Sequence, residues 1–249
     1  MADDTSGLLT RRRALGGLAG VLGLGAAGLY LTADTAADVD DYAADLSAQS
    51  GRSGGLGIDY ADRPVLGDPD ADLVLFAWSD YQCPYCRRFE EETLPDLIER
   101  DVIDGRLAVV FLELPLLGDR SLTAGVVSKA VWRAVEDDDP NAWGRFHRFV
   151  FSKQGPKNGE WATESNLLSY AAAVDGVPGE TVGRLVADDR DALAASVRAD
   201  ASIAFDDLEL EPGAPLFALS NPSTGDWRAI RGAQPVETFR DAMTALREE

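Results

Sequence analysis

Cys83-Pro84-Tyr85-Cys86 is the stretch whose residue types and spacing carry chemistry, and it holds the only two cysteines of the 249-residue chain. Two thiols three positions apart, in the first turn of a helix, can close a disulfide within that turn. The first sulfur then faces backbone N–H groups that lack a helical partner, those of Tyr85 and Cys86. Those amides and the helix dipole favour thiolate over thiol. Thiolate is the nucleophile of thiol–disulfide exchange and also the better leaving group. Pro84 suits the first helical position, where its missing N–H would have had no partner. Other uses of the pair are weaker. A structural bridge between such near neighbours removes little chain entropy. Two cysteines and one histidine, His147, cannot fill a four-ligand zinc site unless carboxylates complete it, so no metal is expected. Inert core cysteines do not suit the flanking Asp80, Gln82, Arg87 and Arg88, which read as a surface rim.

The dithiol needs a strand ending before it and a helix beginning at it. Leu73–Trp78 is a continuous apolar run, as in a strand covered on both faces. From Pro84 the period turns helical through Phe89, Leu94, Leu97 and Ile98, with a kink expected at Pro95. Leu107–Leu114 reads as a second buried strand, ended by Pro115, which gives a β-α-β unit with a parallel pair. Arg63–Gly67 reads as a short edge strand, since Pro64 cannot donate to a ladder. Five helical segments follow before the next strand signal. Ser121 is the expected N-cap of the first, Trp143, Phe146, Val150 and Phe151 mark the second, Thr163 caps the third, Pro178 opens the fourth, and Asp189 or Asp191 opens the fifth. Pro215–Leu219 and Trp227–Ile230 are strands around a turn, and Gln234–Arg247 is a closing helix. No internal repeat is visible.

These features resemble the thioredoxin superfamily and, within it, the DsbA-like thiol–disulfide oxidoreductases, over about Pro64 to Met243. The points of likeness are Leu66–Ala71, Ser79–Cys86, Pro115, the helical insert, Gly213–Phe217 and Ile230–Pro235. The resemblance implies an α/β thioredoxin fold (β-α-β, then β-β-α) over 58–249, with a helical insertion domain at about 120–211. It also implies that Cys83 attacks or is attacked, that Cys86 resolves, and that a cis Ala214–Pro215 bond presents the main chain of Ala214 to a substrate strand. No cofactor is implied beyond the redox-active disulfide Cys83–Cys86. Three departures stand out, the first being Ala214, smaller than the Thr or Val that often precedes the family's cis proline and without a hydroxyl. Ala77 occupies the position where many members carry a buried acid, leaving Glu113 or Asp80 as substitutes. The dipeptide Pro84-Tyr85 lacks the histidine of the strongly oxidising members, so a less oxidising pair is expected. The same scaffold also supports a reductase or isomerase, and a non-catalytic peptide-binding or chaperone-like module is the reading from outside enzymology. His147 is expected to be a packed structural histidine, Trp78 a core residue, Arg87 and Arg88 solvated, and Tyr81 and Tyr85 the rim of a docking site.

The remaining signals concern address and surface. Arg11-Arg12-Arg13 precedes an uncharged, glycine-rich run from Ala14 to Leu31. Residues 1–33 therefore read as an export signal of twin-arginine type or a membrane anchor. Residues 34–57 read as an acidic flexible linker, with a helix over Asp34–Ala48 and ordered structure starting near Ile58. The formal net charge is −20, from 43 acidic and 23 basic residues, so nucleic acid is not an expected partner. The acid excess is spread along the chain and reads as a halophile's surface, screened by salt. Exported protein thiols or disulfides, and a membrane redox partner that recycles the dithiol, are the expected partners of an extracytoplasmic monomer.

Overall fold

The computed structural model describes residues 39–248, so the signal or anchor over 1–33 lies outside the described residues. Six strands form one mixed sheet in the order β1-β2-β4-β3-β5-β6. They are β1 (Leu46–Ser47), β2 (Val65–Leu66), β3 (Leu73–Ser79), β4 (Leu107–Glu113), β5 (Leu216–Ser220) and β6 (Trp227–Arg231). β3 and β4 run parallel, and the other pairs run antiparallel. Every residue of β3 and β4 is buried, which explains why both read as unbroken apolar runs rather than alternating ones. Leu73, Leu75 and Ala77 join the core on the dithiol side, with Leu107, Val109 and Phe111 beside them. Val74, Phe76 and Trp78 join the opposite core, with Ala108, Val110 and Leu112.

From Pro84 to Val102, between β3 and β4, the chain is helical without a break, as α1 (Pro84–Arg88), a π turn (Phe89–Thr93), α2 (Leu94–Leu97) and a second π turn (Ile98–Val102). Just before Pro95 the helix widens into a π turn, and the Leu94 N–H donates to Phe89 O. A π turn shifts the carbonyl register and absorbs the N–H that proline lacks. The insert comprises α3 (Asp119–Val135), α4 (Pro140–Ser152), α5 (Glu164–Ala173), α6 (Gly179–Asp188) and α7 (Arg190–Ser202), and α8 (Val236–Glu248) closes the chain. Thr163 caps α5 as expected, its hydroxyl accepting from the Asn166 N–H. Ser121 does not cap α3; it sits in the first turn, buried, and Gly118 takes the cap position.

The insert is clasped to the sheet by a buried ionic cluster. Asp200 on α7 is fully buried, accepts from Lys129 Nζ of α3 at 2.9 Å and from Arg63 at 2.8 Å, and also accepts the Glu113 N–H of β4. The Asp200 carbonyl accepts the Trp78 indole N–H at 2.7 Å, which gives this buried core tryptophan its partner. Buried charges persist only when paired and hydrogen-bonded in this way.

Two expectations near the N-terminal side are corrected. The described part of 34–48 holds no helix, and Leu46–Ser47 pairs with β2 before Ile58 is reached. β2 is consequently an inner strand, with β1 on its open side. The reason is tertiary. Leu46 is buried against α4 at Gly144, where an added Cβ would lie 2.8 Å from Leu46 Cδ1, and the Leu46 N–H donates to Asn141 Oδ1. An Ala/Asp-rich sequence carries no alternation that announces a strand.

Candidate active site

β3 delivers the chain to the loop Asp80–Gln82, and Cys83 then stands as N-cap of α1 with extended backbone (φ −87°, ψ 118°). The Cys83 carbonyl takes the first helical bonds, from the N–H groups of Cys86 and Arg87. Pro84 occupies the first turn. The loop is held by three buried or half-buried side chains. Asp80 accepts the Gln82 N–H on Oδ1, and the N–H groups of Leu116 and Leu117 on Oδ2, so the segment after β4 is fixed to the segment after β3. Gln82 donates to Ser121 Oγ at 2.8 Å and accepts the Asn158 N–H. Gln154 donates from one Nε2 to both Tyr81 O (2.7 Å) and Cys83 O (3.0 Å). The insert thus fixes the backbone of the dithiol loop from α3 and from the segment after α4.

Both cysteines are free thiols and both are buried, Cys83 at 3% and Cys86 at 0% exposed, and they differ in their hydrogen bonds. The Cys83 thiol donates to the Ala214 carbonyl at 3.3 Å, and the Ala214–Pro215 bond is cis. A hydrogen bond from Cys86 pulls the Cys83 thiol down to about 7; the N–H groups of Cys86 and Tyr85 add to this, while burial and the Asp80 charge oppose it. Cys86 is fully buried and accepts the Asp80 N–H at 3.3 Å. Its pKa lies well above the ordinary thiol value, through burial first and the neighbouring Cys83 second. One sulfur is therefore an accessible-pH thiolate and the other a held thiol, the asymmetry that stepwise exchange requires.

The structure brings Cys83, Pro84, Tyr85, Cys86, Ala214 and Pro215 together in this way. Tyr85 is 59% exposed beside the pair, as a rim residue should be. Tyr81 is corrected: it is 2% exposed and points inward, hydrogen-bonded to Ser128 Oγ at 3.0 Å and His147 Nδ1 at 2.7 Å. His147 is buried as expected, stacked on Trp143 with ring centroids 4.5 Å apart, but both ring nitrogens are engaged, Nε2 with Glu90 Oε1 at 3.1 Å. Arg87 and Arg88 pair with Glu91 and Glu92 on the exposed helix face. Both acids weighed against Ala77 are buried. Burial pushes the Glu113 carboxyl up to about 8, the Asp200 and Asp80 charges add to this, and Ser128 and Lys129 oppose it. Gln82 was read only as rim, and Gln154 and Ser128 gave no sequence signal, because their partners lie 73, 71 and 47 positions away in the chain.

A thioredoxin family profile matches residues 60–207, more than half of the chain, and the chain belongs to that family. Disulfide bond formation protein D of Bacillus subtilis (strain 168) is 30% identical over 142 residues, which cover 57% of this chain and 61% of that relative. The matched part is thus less than two thirds of the relative. Among solved structures, oxidised BdbD from Bacillus subtilis superposes with a TM-score of 0.65 at 21% identity, covering 81% of this chain and 100% of that one. A thioredoxin-like oxidoreductase from Silicibacter pomeroyi gives 0.61 at 24% identity, covering 80% and 99%. At those identities the superpositions establish the shared fold: a thioredoxin-like sheet with an inserted helical subdomain.

Proposed function

We propose that this chain is an extracytoplasmic protein thiol–disulfide oxidoreductase of DsbA-like type, with Cys83 as the exchanging sulfur and Cys86 as the resolving one. The observation that carries the reading is the position of Cys83 Sγ. A hydrogen bond from the Cys86 thiol, with the N–H groups of Cys86 and Tyr85 at the start of α1, lowers its pKa to about 7, and it lies 3.3 Å from the carbonyl beside the cis proline. An extended client segment aligned with Ala214 would place its sulfur near that atom. In the oxidising direction a client thiolate attacks Cys83 Sγ, the S–S bond breaks, and Cys86 departs with the electron pair and is protonated. A second client thiolate then attacks the client sulfur of the mixed disulfide and releases the Cys83 thiolate. The two electrons taken from the client pass on to a membrane redox partner carrying a more oxidising disulfide.

The same proposal assigns residues 1–33 to export by the twin-arginine route or to anchoring, and reads the acid excess as adaptation to high salt. Its support is the Arg11-Arg12-Arg13 run before an uncharged segment, together with the net charge of −20. Among the described residues no helix is long and apolar enough to cross a membrane. The decisive experiment is oxidation of a reduced peptide by the full chain and by Cys83→Ser. The wild type should oxidise the peptide, and the variant should fall to the uncatalysed rate. Equal rates would end the reading.

One observation favours a reductase or isomerase as the second reading. A first thiol near 7 matches the value of about 7 for thioredoxin rather than about 3.5 for DsbA. Equilibration with glutathione separates them, since a pair near about −270 mV works as a reductant and one near about −120 mV as an oxidant.

A further inference from the structure

Asp80 stands between the end of β3 and the dithiol, and it is 1% exposed. Each of its polar atoms is engaged around the cysteine pair. Its carbonyl accepts the Cys83 N–H at 2.9 Å, and its own N–H donates to Cys86 Sγ at 3.3 Å. Oδ1 accepts the Gln82 N–H at 2.8 Å. Oδ2 accepts the N–H groups of Leu116 at 3.0 Å and Leu117 at 2.7 Å. A side-chain turn at this place needs only the bond to Gln82, which asparagine or serine also makes. The two amides on Oδ2 are what asparagine cannot serve at the same time. Whichever way its amide is turned, a donor meets a donor. The loop therefore calls for a carboxylate, and with it comes a charge.

That charge is locked beside the two sulfurs. Both oxygens accept and neither donates, which is the bonding of an ionised carboxyl group. Three backbone amides hold it in place without bringing a counter-ion. The cations around it are committed elsewhere. Arg87 and Arg88 pair with Glu91 and Glu92 on the exposed helix face, and Lys129 and Arg63 pair with Asp200. Burial first, then the charges of Asp200 and Asp80, push the neighbouring Glu113 carboxyl up to about 8, so at neutral pH Asp80 is the charged one of the two. In a buried site the repulsion between like charges is stronger than in water. On Cys83 the hydrogen bond from Cys86 and the N–H groups of α1 favour the thiolate, while burial and the Asp80 charge oppose it.

We propose that Asp80 sets the redox poise of the pair: its fixed charge opposes the thiolate that reduction leaves on Cys83, and so makes the Cys83–Cys86 disulfide a weaker oxidant than the start of α1 alone would make it. Glutathione serves as the reference couple. Two glutathione thiols give two electrons to the Cys83–Cys86 bond and leave as glutathione disulfide. Cys83 is left as thiolate, Cys86 takes one proton, and the other proton goes to solvent. A charge that disfavours the thiolate drives this reaction back toward the protein disulfide. The same residue holds the geometry, since its carbonyl and N–H bind the two cysteines and its carboxylate ties the segment after β4 to them. The proposal rests on the oxidoreductase reading and deepens it, because it names the group that tilts the pair toward the reducing direction.

The test is the full chain and its Asp80→Asn variant, compared by the pH dependence of Cys83 alkylation and by equilibration with glutathione at pH 7. Loss of the charge should lower the alkylation midpoint from about 7 by about one pH unit. The glutathione equilibrium should move toward the reduced protein by about fivefold, which is about 20 mV. A merely structural role predicts the opposite sign, because a loosened loop takes Cys83 away from the amides of α1 and returns it toward the ordinary 9.0. Asp80→Ser, which keeps the turn at Gln82, serves as the second variant if Asp80→Asn does not fold, and the same sign is expected. Both are repeated in a Glu113→Gln background, where that carboxyl cannot take over the charge. A midpoint that stays or rises would overturn the proposal, as would an unmoved glutathione equilibrium. Neither measurement uses a client, so peptide oxidation with the Cys83→Ser control judges the oxidoreductase reading separately.

Discussion

At the scale of single residues, the chemistry rests on the unequal thiols. Cys83 is lowered to about 7 when folded, against the ordinary 9.0, so in the reduced protein it adds stability that is complete above about 9 and lost as pH falls through about 7. Burial raises the pKa of Glu113 to about 8, which works oppositely: its stabilising effect is full below 4.5 and lost as pH rises through about 8. The two overlap, so the prediction compares reduced wild type with reduced Cys83→Ser, in which the Glu113 contribution cancels. The stability difference in favour of wild type should grow between about pH 7 and 9, read by urea unfolding under dithiothreitol. Alkylation of the wild type should rise through a midpoint near 7. A midpoint near 9 would mean that the start of α1 does not stabilise the thiolate.

At the scale of elements, the clasp at Asp200 is what aligns the insert with the sheet. Lys129 is 3% exposed and Asp200 fully buried, so removing the ammonium leaves a carboxylate with only Arg63 and one backbone N–H to hold it. Breaking a buried pair from one side costs about 3–5 kcal/mol. Lys129→Ala should lose that much in urea unfolding, and a loss below about 1 kcal/mol would place the pair with surface bridges instead. Nothing local in the sequence marked this cluster, because its members come from before β2, from α3 and from α7. What was legible was local: the apolar runs of β3 and β4, the helical stripes, Thr163 as a cap, and the cysteine pair at a strand–helix junction. What was not legible was decided by partners far along the chain. Tyr81 looked like rim because it neighbours the dithiol, yet it turns inward to meet Ser128 and His147. Leu46 lies in an acidic, alanine-rich stretch whose composition suggests a helix, yet Gly144 and Asn141 of α4 make a seat for it as a strand.

At the scale of the whole molecule, the net charge of −20 sets a condition on every measurement above. Many of the cations are already spent in pairs, such as Arg145 with Asp41 and Asp139, and Arg106 with Asp101 and Asp104. The excess acids therefore face one another across solvent, and their repulsion favours the expanded chain. Screening acts on such exposed charges over a length that falls from about 10 Å at 0.1 M salt to about 3 Å at 1 M, while the buried Asp200 clasp is largely shielded from it. The denaturation midpoint should therefore climb with sodium chloride over this range, and the deficit of Lys129→Ala against wild type should stay the same at both ends. Sucrose, which favours burial without screening charge, should give a smaller gain at equal osmolarity. A midpoint indifferent to sodium chloride would show that the acidic surface is not strained by its own charge, and the high-salt reading would fall while the dithiol chemistry stood.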